Sequence, residues 1–338
     1  MYVAHRRARG VAPAILACSL TLLLAPRARA GTIGKTSISV GCGTRIVVGA
    51  GNTGSTLTLD PSDPIFSGSC PAGGLTVENL GKSAIDQSFT VDCGTNQATP
   101  ISGAPTAAGI ALHGPNLAVF NCYVSGFAQG VVANGDGADI EDSQAQNAAG
   151  SGFVVKANVS LRSQNLTGIT FTGNRAFGNG GFGFDLAANE ISGGTGSFFD
   201  NIADGNALGG FRVKGDGNAL SGSEAFNNGG PGFMIVSKSC CSGSSGQSFD
   251  TAVASFNKGP GIVYVGRDDG SNCVGGTGST CTGGSFFPAG FDTTPGGISA
   301  ADNTGSCPPG SLPYLGAEGV CPIVVGKPCA QKVLDGCP

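Results

Sequence analysis

The residues best suited to chemistry are five ionisable side chains that lie within or directly after short apolar segments beginning with glycine. They are His113, Lys156, Asp185, Arg212 and Lys214. Arginine can bind a carboxylate through two parallel hydrogen bonds. Lysine and histidine can accept a proton where their surroundings lower the pKa. We therefore expect catalytic candidates at Lys156, Arg212, Lys214 and His113, and substrate-binding candidates at Asn134, Lys156, Asp185, Arg212 and Lys214.

These side chains suit β-elimination from a uronic acid. That reaction needs a base to remove a ring proton and a cation to neutralise the carboxylate, and lysine and arginine can supply both. Binding of an anionic glycan without reaction would use the same residues. A solvated strand face with ordinary surface charges is the third interpretation, and the sequence leaves all three open.

An acidic cluster is the candidate for a metal site. Four carboxylates lie within seven residues, at Asp136, Asp139, Glu141 and Asp142. Their oxygens could bind Ca²⁺. Asp and Gly also suit turns, so turn chemistry is the alternative. We predict no required cofactor and leave calcium as an open alternative.

An internal repeat must position these residues. Its unit is an Asn, three further residues, a Gly and then a Phe or Ile that is followed by apolar residues. The unit begins at Asn179, Asn206, Asn228 and Asn257, and a version with one extra residue begins at Asn147. The glycines that open the apolar segments are 21 to 31 residues apart, at Gly109, Gly130, Gly152, Gly183, Gly210, Gly232 and Gly261. A recurring period in this range is typical of stacked repeats.

Stacking of these units predicts which side chains become neighbours. Short strands in successive coils would pair at about 4.8 Å. Inside, one ladder would contain Phe153, Phe184, Phe211 and Phe233, and a second, at a bend, would contain Asn179, Asn206, Asn228 and Asn257. Because side chains alternate along a strand, the next residues point outward. Two outward columns would then gather His113, Lys156, Asp185, Arg212 and Lys214 on one face.

Composition agrees with a turn-rich β protein. Glycine accounts for 60 of 338 residues, and only 12% of residues are charged. Long helices prefer Ala, Leu, Glu, Lys and Arg, so this composition excludes a helical bundle. Glycine has no period of three, which excludes collagen, and a hydrophobic fraction of 40% argues against wholesale disorder.

The first thirty residues have the pattern of a secretory signal peptide, with arginines, an apolar stretch and a small-x-small site ending at Ala30. They hold five of the 18 basic residues and none of the 22 acidic ones, so the remainder has a formal charge of −9. This balance argues against nucleic acid. We find no membrane span.

Twelve of the 13 cysteines remain after the signal peptide is removed, which indicates disulfides between near neighbours, such as Cys273 with Cys281.

Several segments resemble the right-handed parallel β-helix repeat family, the pectate-lyase-like superfamily. They are Val91-Asp92-Cys93-Gly94, Gly109-Ile110-Ala111-Leu112, Asn121 to Phe127, Gly130-Val131-Val132 and the later Asn-x3-Gly-Phe units. The resemblance covers roughly residues 75–265. It implies the fold, but the family includes polysaccharide lyases, pectin-degrading hydrolases, alginate epimerases and non-catalytic surface proteins, so it does not specify an activity.

Together these observations predict an all-β protein, a right-handed single-stranded parallel β-helix (a solenoid) with a disulfide-rich C-terminal cap. We predict a signal peptide at 1–30, an N-terminal cap and first coils at 31–74, the parallel β-helix at 75–270 and a Cys/Gly/Pro-rich cap at 271–338. The expected function of this secreted, periplasmic or cell-surface protein is recognition of an extracellular or envelope polysaccharide. Lyase or epimerase activity on uronic-acid glycans is the alternative.

Overall fold

A computed structural model describes residues 31–33, 36–49, 54–79, 88–94, 99–156, 165–186, 190–191, 196–214, 218–236, 248–250, 252–259, 261–265, 273–274 and 320–324. The predicted signal peptide and most of the predicted C-terminal cap lie outside these residues. Within the described residues the chain forms β-strands, tight bends and one turn of 3-10 helix at Pro64–Phe66.

The strands, numbered in chain order, form three long sheets. Sheet I contains, in spatial order, β3 (Thr44–Val48), β6 (Leu75–Asn79), β9 (Ala108–His113), β12 (Gln129–Asn134), β15 (Phe153–Val155), β19 (Phe182–Leu186), β23 (Gly209–Lys214), β26 (Phe233–Val236), β29 (Ile262–Val265) and β31 (Val320–Val324). Sheet III contains β28 (Val253–Ser255), β25 (Glu224–Phe226), β22 (Ile202–Asp204), β18 (Arg175–Phe177), β14 (Gln144–Gln146), β11 (Tyr123–Ser125), β8 (Ile101–Gly103) and β5 (Ser69–Cys70).

Sheet II lies between them in the path of each coil. It contains β2 (Thr36–Ile38), β1 (Gly31–Ile33), β4 (Ser55–Thr58), β7 (Phe89–Asp92), β10 (Leu117–Phe120), β13 (Asp139–Glu141), β17 (Thr170–Thr172), β21 (Gly196–Phe199), β24 (Asn218–Ser221), β27 (Ser248–Asp250) and β30 (Cys273–Val274). A small parallel pair, β16 (Asn165–Leu166) and β20 (Glu190–Ile191), adds a fourth sheet.

The chain passes through sheet I, sheet II and sheet III in turn, and each strand pairs in parallel with its counterpart one coil later. This arrangement is a parallel β-helix, which confirms the predicted fold class. The exception is at the amino end, where β1 pairs antiparallel with both β2 and β4. That hairpin covers an edge of sheet II that would otherwise expose unpaired backbone groups.

Stacked phenylalanines fill the interior along sheet I. Phe153, Phe184, Phe211 and Phe233 occupy one register position, with ring centroids 4.9, 4.6 and 4.9 Å apart and nearly parallel planes. All four are fully buried. The rings are one strand spacing apart, so each ring contacts the next without distorting the ladder. The predicted phenylalanine ladder is confirmed.

The predicted asparagine ladder is also present, at the bend between sheets III and I. Asn179 donates from Nδ2 to Asn206 Oδ1 at 2.8 Å, Asn206 to Asn228 at 3.0 Å and Asn228 to Asn257 at 2.8 Å. Each amide also donates to a carbonyl oxygen of the preceding coil, and each carbonyl accepts a backbone N–H. The buried amides of this ladder are therefore hydrogen-bonded inside the core, as buried polar groups generally are.

Asn147 does not belong to this ladder. Its φ is 52°, and the ladder position in that coil is held by Ala148, whose backbone N–H donates to Asn179 Oδ1 at 2.9 Å. The extra residue in this unit shifts Asn147 to the exposed bend one position earlier.

Two disulfides connect successive coils in the first part of the β-helix, Cys42–Cys70 and Cys93–Cys122, with sequence separations of 28 and 29 residues. Cys281, the predicted partner of Cys273, lies outside the described residues. The longest repeats gain their extra length between sheets I and II. Only four residues separate β12 from β13, whereas β15 ends at Val155 and β17 begins at Thr170.

Candidate functional site

The register of sheet I brings the predicted chemical residues together on its outer face. Asp185 lies directly opposite Arg212, and Asn134 lies opposite His113. Lys214 is two residues beyond Arg212 on the same strand, and Lys156 follows β15, where its backbone N–H donates to Ala133 at 2.9 Å. We call this set, with Arg45 and Glu78 described below, the sheet I outer face.

The apolar side chains of this face are more buried than their outward direction predicts. Val132 and Val154 point away from the phenylalanine core, yet they are only 6% and 2% exposed. Lys156 Nζ donates to Gln129 Oε1 at 2.8 Å. Because Gln129 begins β12 and Lys156 follows the end of β15, this bond carries the lysine stem across the column of Val132 and Val154, as long cationic side chains commonly do.

Arg212 is fixed in place by two neighbours. Its Nε and Nη2 donate to the two carboxylate oxygens of Asp185 at 2.8 and 2.6 Å. Its guanidinium carbon lies 5.0 Å from the centre of the Phe182 ring. The bidentate pair and the cation–π contact both require a planar guanidinium, so lysine could not replace this residue.

His113 belongs to a polar group that continues toward the amino end. His113 Nδ1 lies 2.7 Å from Asn134 Nδ2. One coil earlier, Glu78 lies opposite His113 in register and accepts two hydrogen bonds from Arg45. The hydrogen bond from Arg45 holds the pKa of Glu78 below its usual range, and His113 acts in the same direction. Arg45 and Glu78 were not predicted from the sequence, although the outward columns include them when they are extended back to β3 and β6.

The four acidic residues do not converge on one point. Asp139 and Glu141 lie on β13, Asp136 precedes this strand and Asp142 follows it at the next bend. Asp136 Oδ1 accepts the backbone N–H of Thr167 at 2.8 Å, which is turn chemistry. Calcium requires six to eight converging oxygens. Within the described ranges no three His, Cys, Asp or Glu residues are grouped to hold a metal ion, and we assign none here.

Asp139 is the most perturbed of these acids. Burial, with a smaller contribution from Glu141, raises its pKa to about 6. Its Oδ1 is buried and has no hydrogen-bond partner in the described part of the chain. A carboxylate in this position is poorly solvated when ionised.

Comparison of the chain with family models, curated proteins and solved structures found no match. In the described segments, no helix has the length and apolar character needed to cross a membrane.

Proposed function

We propose that this protein is secreted and binds an acidic extracellular or envelope polysaccharide along the sheet I outer face, in a recognition or structural role. We also propose kinship with the pectate-lyase-like β-helix proteins. One observation carries the functional proposal: strand register aligns His113, Asn134, Lys156, Asp185, Arg212 and Lys214 on a single face parallel to the long axis of the stack.

The charge of this face favours an anionic chain. It carries Arg45, Lys156, Arg212 and Lys214 against two carboxylates, whereas the chain as a whole has a formal charge of −4. Cationic side chains bind the carboxylates of uronic acids through charge-assisted hydrogen bonds. A row of such groups on a rigid support would hold an extended polymer through many weak contacts, and the binding free energy of the contacts would accumulate along the chain.

The contacts on this face favour binding over catalysis. Arg212 is bound to Asp185, Lys156 to Gln129 and His113 to Asn134. A general base must be within hydrogen-bond reach of the substrate proton and ready to accept it. These side chains are held by neighbours on the same face, an arrangement suited to presenting a fixed pattern of charge.

The test is affinity electrophoresis of the secreted protein in gels containing pectate, alginate, a glycosaminoglycan or a neutral glucan, with calcium and with a chelator. We expect retardation by the acidic polymers only, decreasing as salt is added. Lys156→Ala and Lys214→Ala should each reduce retardation, and the double variant should reduce it further.

Lys258→Ala is the matched control, because Lys258 is exposed and lies at the bend between sheets III and I. It should migrate like the parent protein. Equal retardation of the parent and the double variant would contradict the proposal. Ultraviolet absorbance from unsaturated products, lost in Lys156→Ala or Lys214→Ala, would instead support the lyase alternative.

A further inference from the structure

A polar depression lies outside the sheet I outer face, at the corner where sheet II turns into sheet III. Its volume is about 330 Å³, and it is lined by Asn121, Asp142, Ser143, Gln144, Gly173 and Arg175. None of these residues belongs to the phenylalanine core or to the sheet I outer face. We call this depression the corner site.

The corner site has a rigid floor. Ser143 Oγ donates to Glu141 O at 2.8 Å and accepts the backbone N–H of Cys122 at 3.1 Å. Ser143 N also donates to Asn174 at 3.0 Å, and the Asn174 amide donates to Asn201 in the next coil. The Cys93–Cys122 disulfide fixes the adjoining coil. A binding surface that is already ordered loses little conformational entropy when a ligand binds.

Glycine is needed at one wall of this site. Gly173 has a φ of 67°, which side-chain-bearing residues rarely adopt, and a Cβ there would lie 2.5 Å from Asp142 Oδ1. The absent side chain leaves room for the Asp142 carboxylate to lie against the Gly173 backbone at this wall.

Arg175 supplies the cation of the site, and Asp142 supplies a carboxylate. Its side chain is exposed and makes no ion pair with any residue in the described segments, in contrast to Arg45 and Arg212. Register places it directly beside Gln144, which lies beside Tyr123. A cation, an amide and a phenol therefore occupy three consecutive strands of one outer face.

Aromatic side chains border the polar groups at both ends. Phe120 and Tyr123 flank Asn121 on the outer side of β10 and β11, where Val119 and Val124 are the buried neighbours. Phe199 is 39% exposed and lies in the register column of Phe120, three strands further along. Three strand spacings amount to about 14 Å.

We propose that the corner site binds a short uronate-bearing oligosaccharide lying parallel to the β-helix axis. The ligand carboxylate binds the guanidinium of Arg175, hydroxyl groups bind Gln144 and Asn121, and sugar rings lie against Tyr123 and Phe199. Aromatic rings offer a large apolar surface for such contacts, and a free guanidinium suits a carboxylate. The ligand class rests on the proposed function, whereas the site itself rests on the geometry of this corner.

The experiment is isothermal titration of the full secreted protein with tetragalacturonate and with cellotetraose as the neutral probe. We expect tetragalacturonate to bind and cellotetraose to bind at least tenfold more weakly. In Arg175→Ala, one fewer tetragalacturonate molecule should bind per protein molecule, or its affinity should fall at least tenfold. Arg175→Lys should recover only part of this affinity. Phe199→Ala should weaken the same affinity about threefold.

Lys258→Ala and the Lys156→Ala/Lys214→Ala double variant separate the two sites. If tetragalacturonate binding is lost in the lysine double variant and unchanged in Arg175→Ala, the corner site is overturned and the proposed function stands. If the reverse holds, the corner site stands and the placement of the polymer on sheet I fails. Absence of binding in the parent protein, or equal binding of both probes, would overturn the corner site as well.

Discussion

At the scale of single residues, the charged side chains that point outward differ in how neighbouring groups bury them and pair with them. Arg212 and Asp185 neutralise each other, and Lys156 is held by Gln129, so the charges of the sheet I outer face form a fixed pattern. Asp139 has no such partner, and its ionisation is unfavourable.

Asp139 should make stability depend on pH in a defined direction. Its pKa is raised in the folded state, so the folded protein holds a proton that the unfolded chain releases between about pH 4 and pH 6. Its stabilising contribution is complete below the unfolded pKa and is lost as the pH rises through about 6.

Asp139→Asn should therefore raise the free energy of unfolding at pH 8 by on the order of 1 kcal/mol, after allowance for partial solvent exposure. It should change little at pH 4. Denaturant titrations of both proteins across this range provide the measurement. Glu141→Gln should move the pH transition of the parent to lower pH. If the free energies of unfolding of Asp139→Asn and of the parent differ by the same amount at every pH, the pKa of Asp139 is not raised in the folded protein.

Phe256 adopts a backbone conformation that does not suit it. Its φ is 56°, and its side chain is 59% exposed, at a bend position that other coils fill with Gly178, Gly205 or Asn227. The left-handed region costs a residue with a Cβ roughly 1–2 kcal/mol, and glycine avoids that cost. Phe256→Gly should therefore raise the free energy of unfolding by about 1 kcal/mol.

The matched control is Gly205→Ala at the equivalent bend, which should lower the free energy of unfolding by about the same amount. Thermal unfolding monitored by circular dichroism would measure both. Destabilisation by Phe256→Gly would mean that the exposed ring makes a stabilising contact.

At the scale of elements, the repeat predicts the ladders well because their residues recur at the same position of every coil. Phe184, Phe211 and Phe233 are one repeat apart, and so are Asn206, Asn228 and Asn257. The shorter ladder of Ser143, Asn174 and Asn201 was not predicted, although each of these residues lies two positions before a buried alanine.

The two candidate binding surfaces were harder to predict, for physical reasons. The alternation of side chains along a strand predicts that Val154 points outward. It does not predict that Val154 is buried, because neighbouring side chains such as Lys156 shield it from solvent. Alternation also stops at a bend. Asn121 and Asp142 have φ values of 56° and 47°, so the strand pattern of sheet II does not continue into sheet III. The grouping of Tyr123, Gln144 and Arg175 became visible only in three dimensions.

The asparagine ladder should contribute strongly to the stability of the stack. Asn206 accepts the backbone N–H and the amide of Asn179 and donates to Ala176 O and to Asn228. Asn206→Ala leaves several buried groups without partners and should lower the free energy of unfolding by about 2–4 kcal/mol. Denaturant unfolding is the measurement. Asn227→Gly, at the adjacent exposed bend, should change it by less than about 0.5 kcal/mol, because asparagine tolerates the left-handed conformation and its hydrogen bond to Asp204 is exposed. Equal effects of the two variants would argue against the ladder as a stabilising element.

At the scale of the whole molecule, the β-helix places separate chemistry on separate faces of one rod. Each coil contributes one residue to each column, so a surface grows along the axis as coils are added. The sheet I outer face extends over seven strands, from β3 with Arg45 to β23 with Lys214, a length of about 29 Å. The corner site lies on a different corner and spans fewer coils.

The most direct test of the central claim uses the chain length of the ligand. Affinities of a galacturonate oligomer series are measured by titration against the Arg175→Ala variant, which removes the corner site. If one polymer lies along the sheet I outer face, affinity should rise with each added sugar and reach a plateau when the oligomer spans about 29 Å. An affinity that is already maximal for the disaccharide, or that does not decrease in Lys156→Ala/Lys214→Ala, would contradict the account.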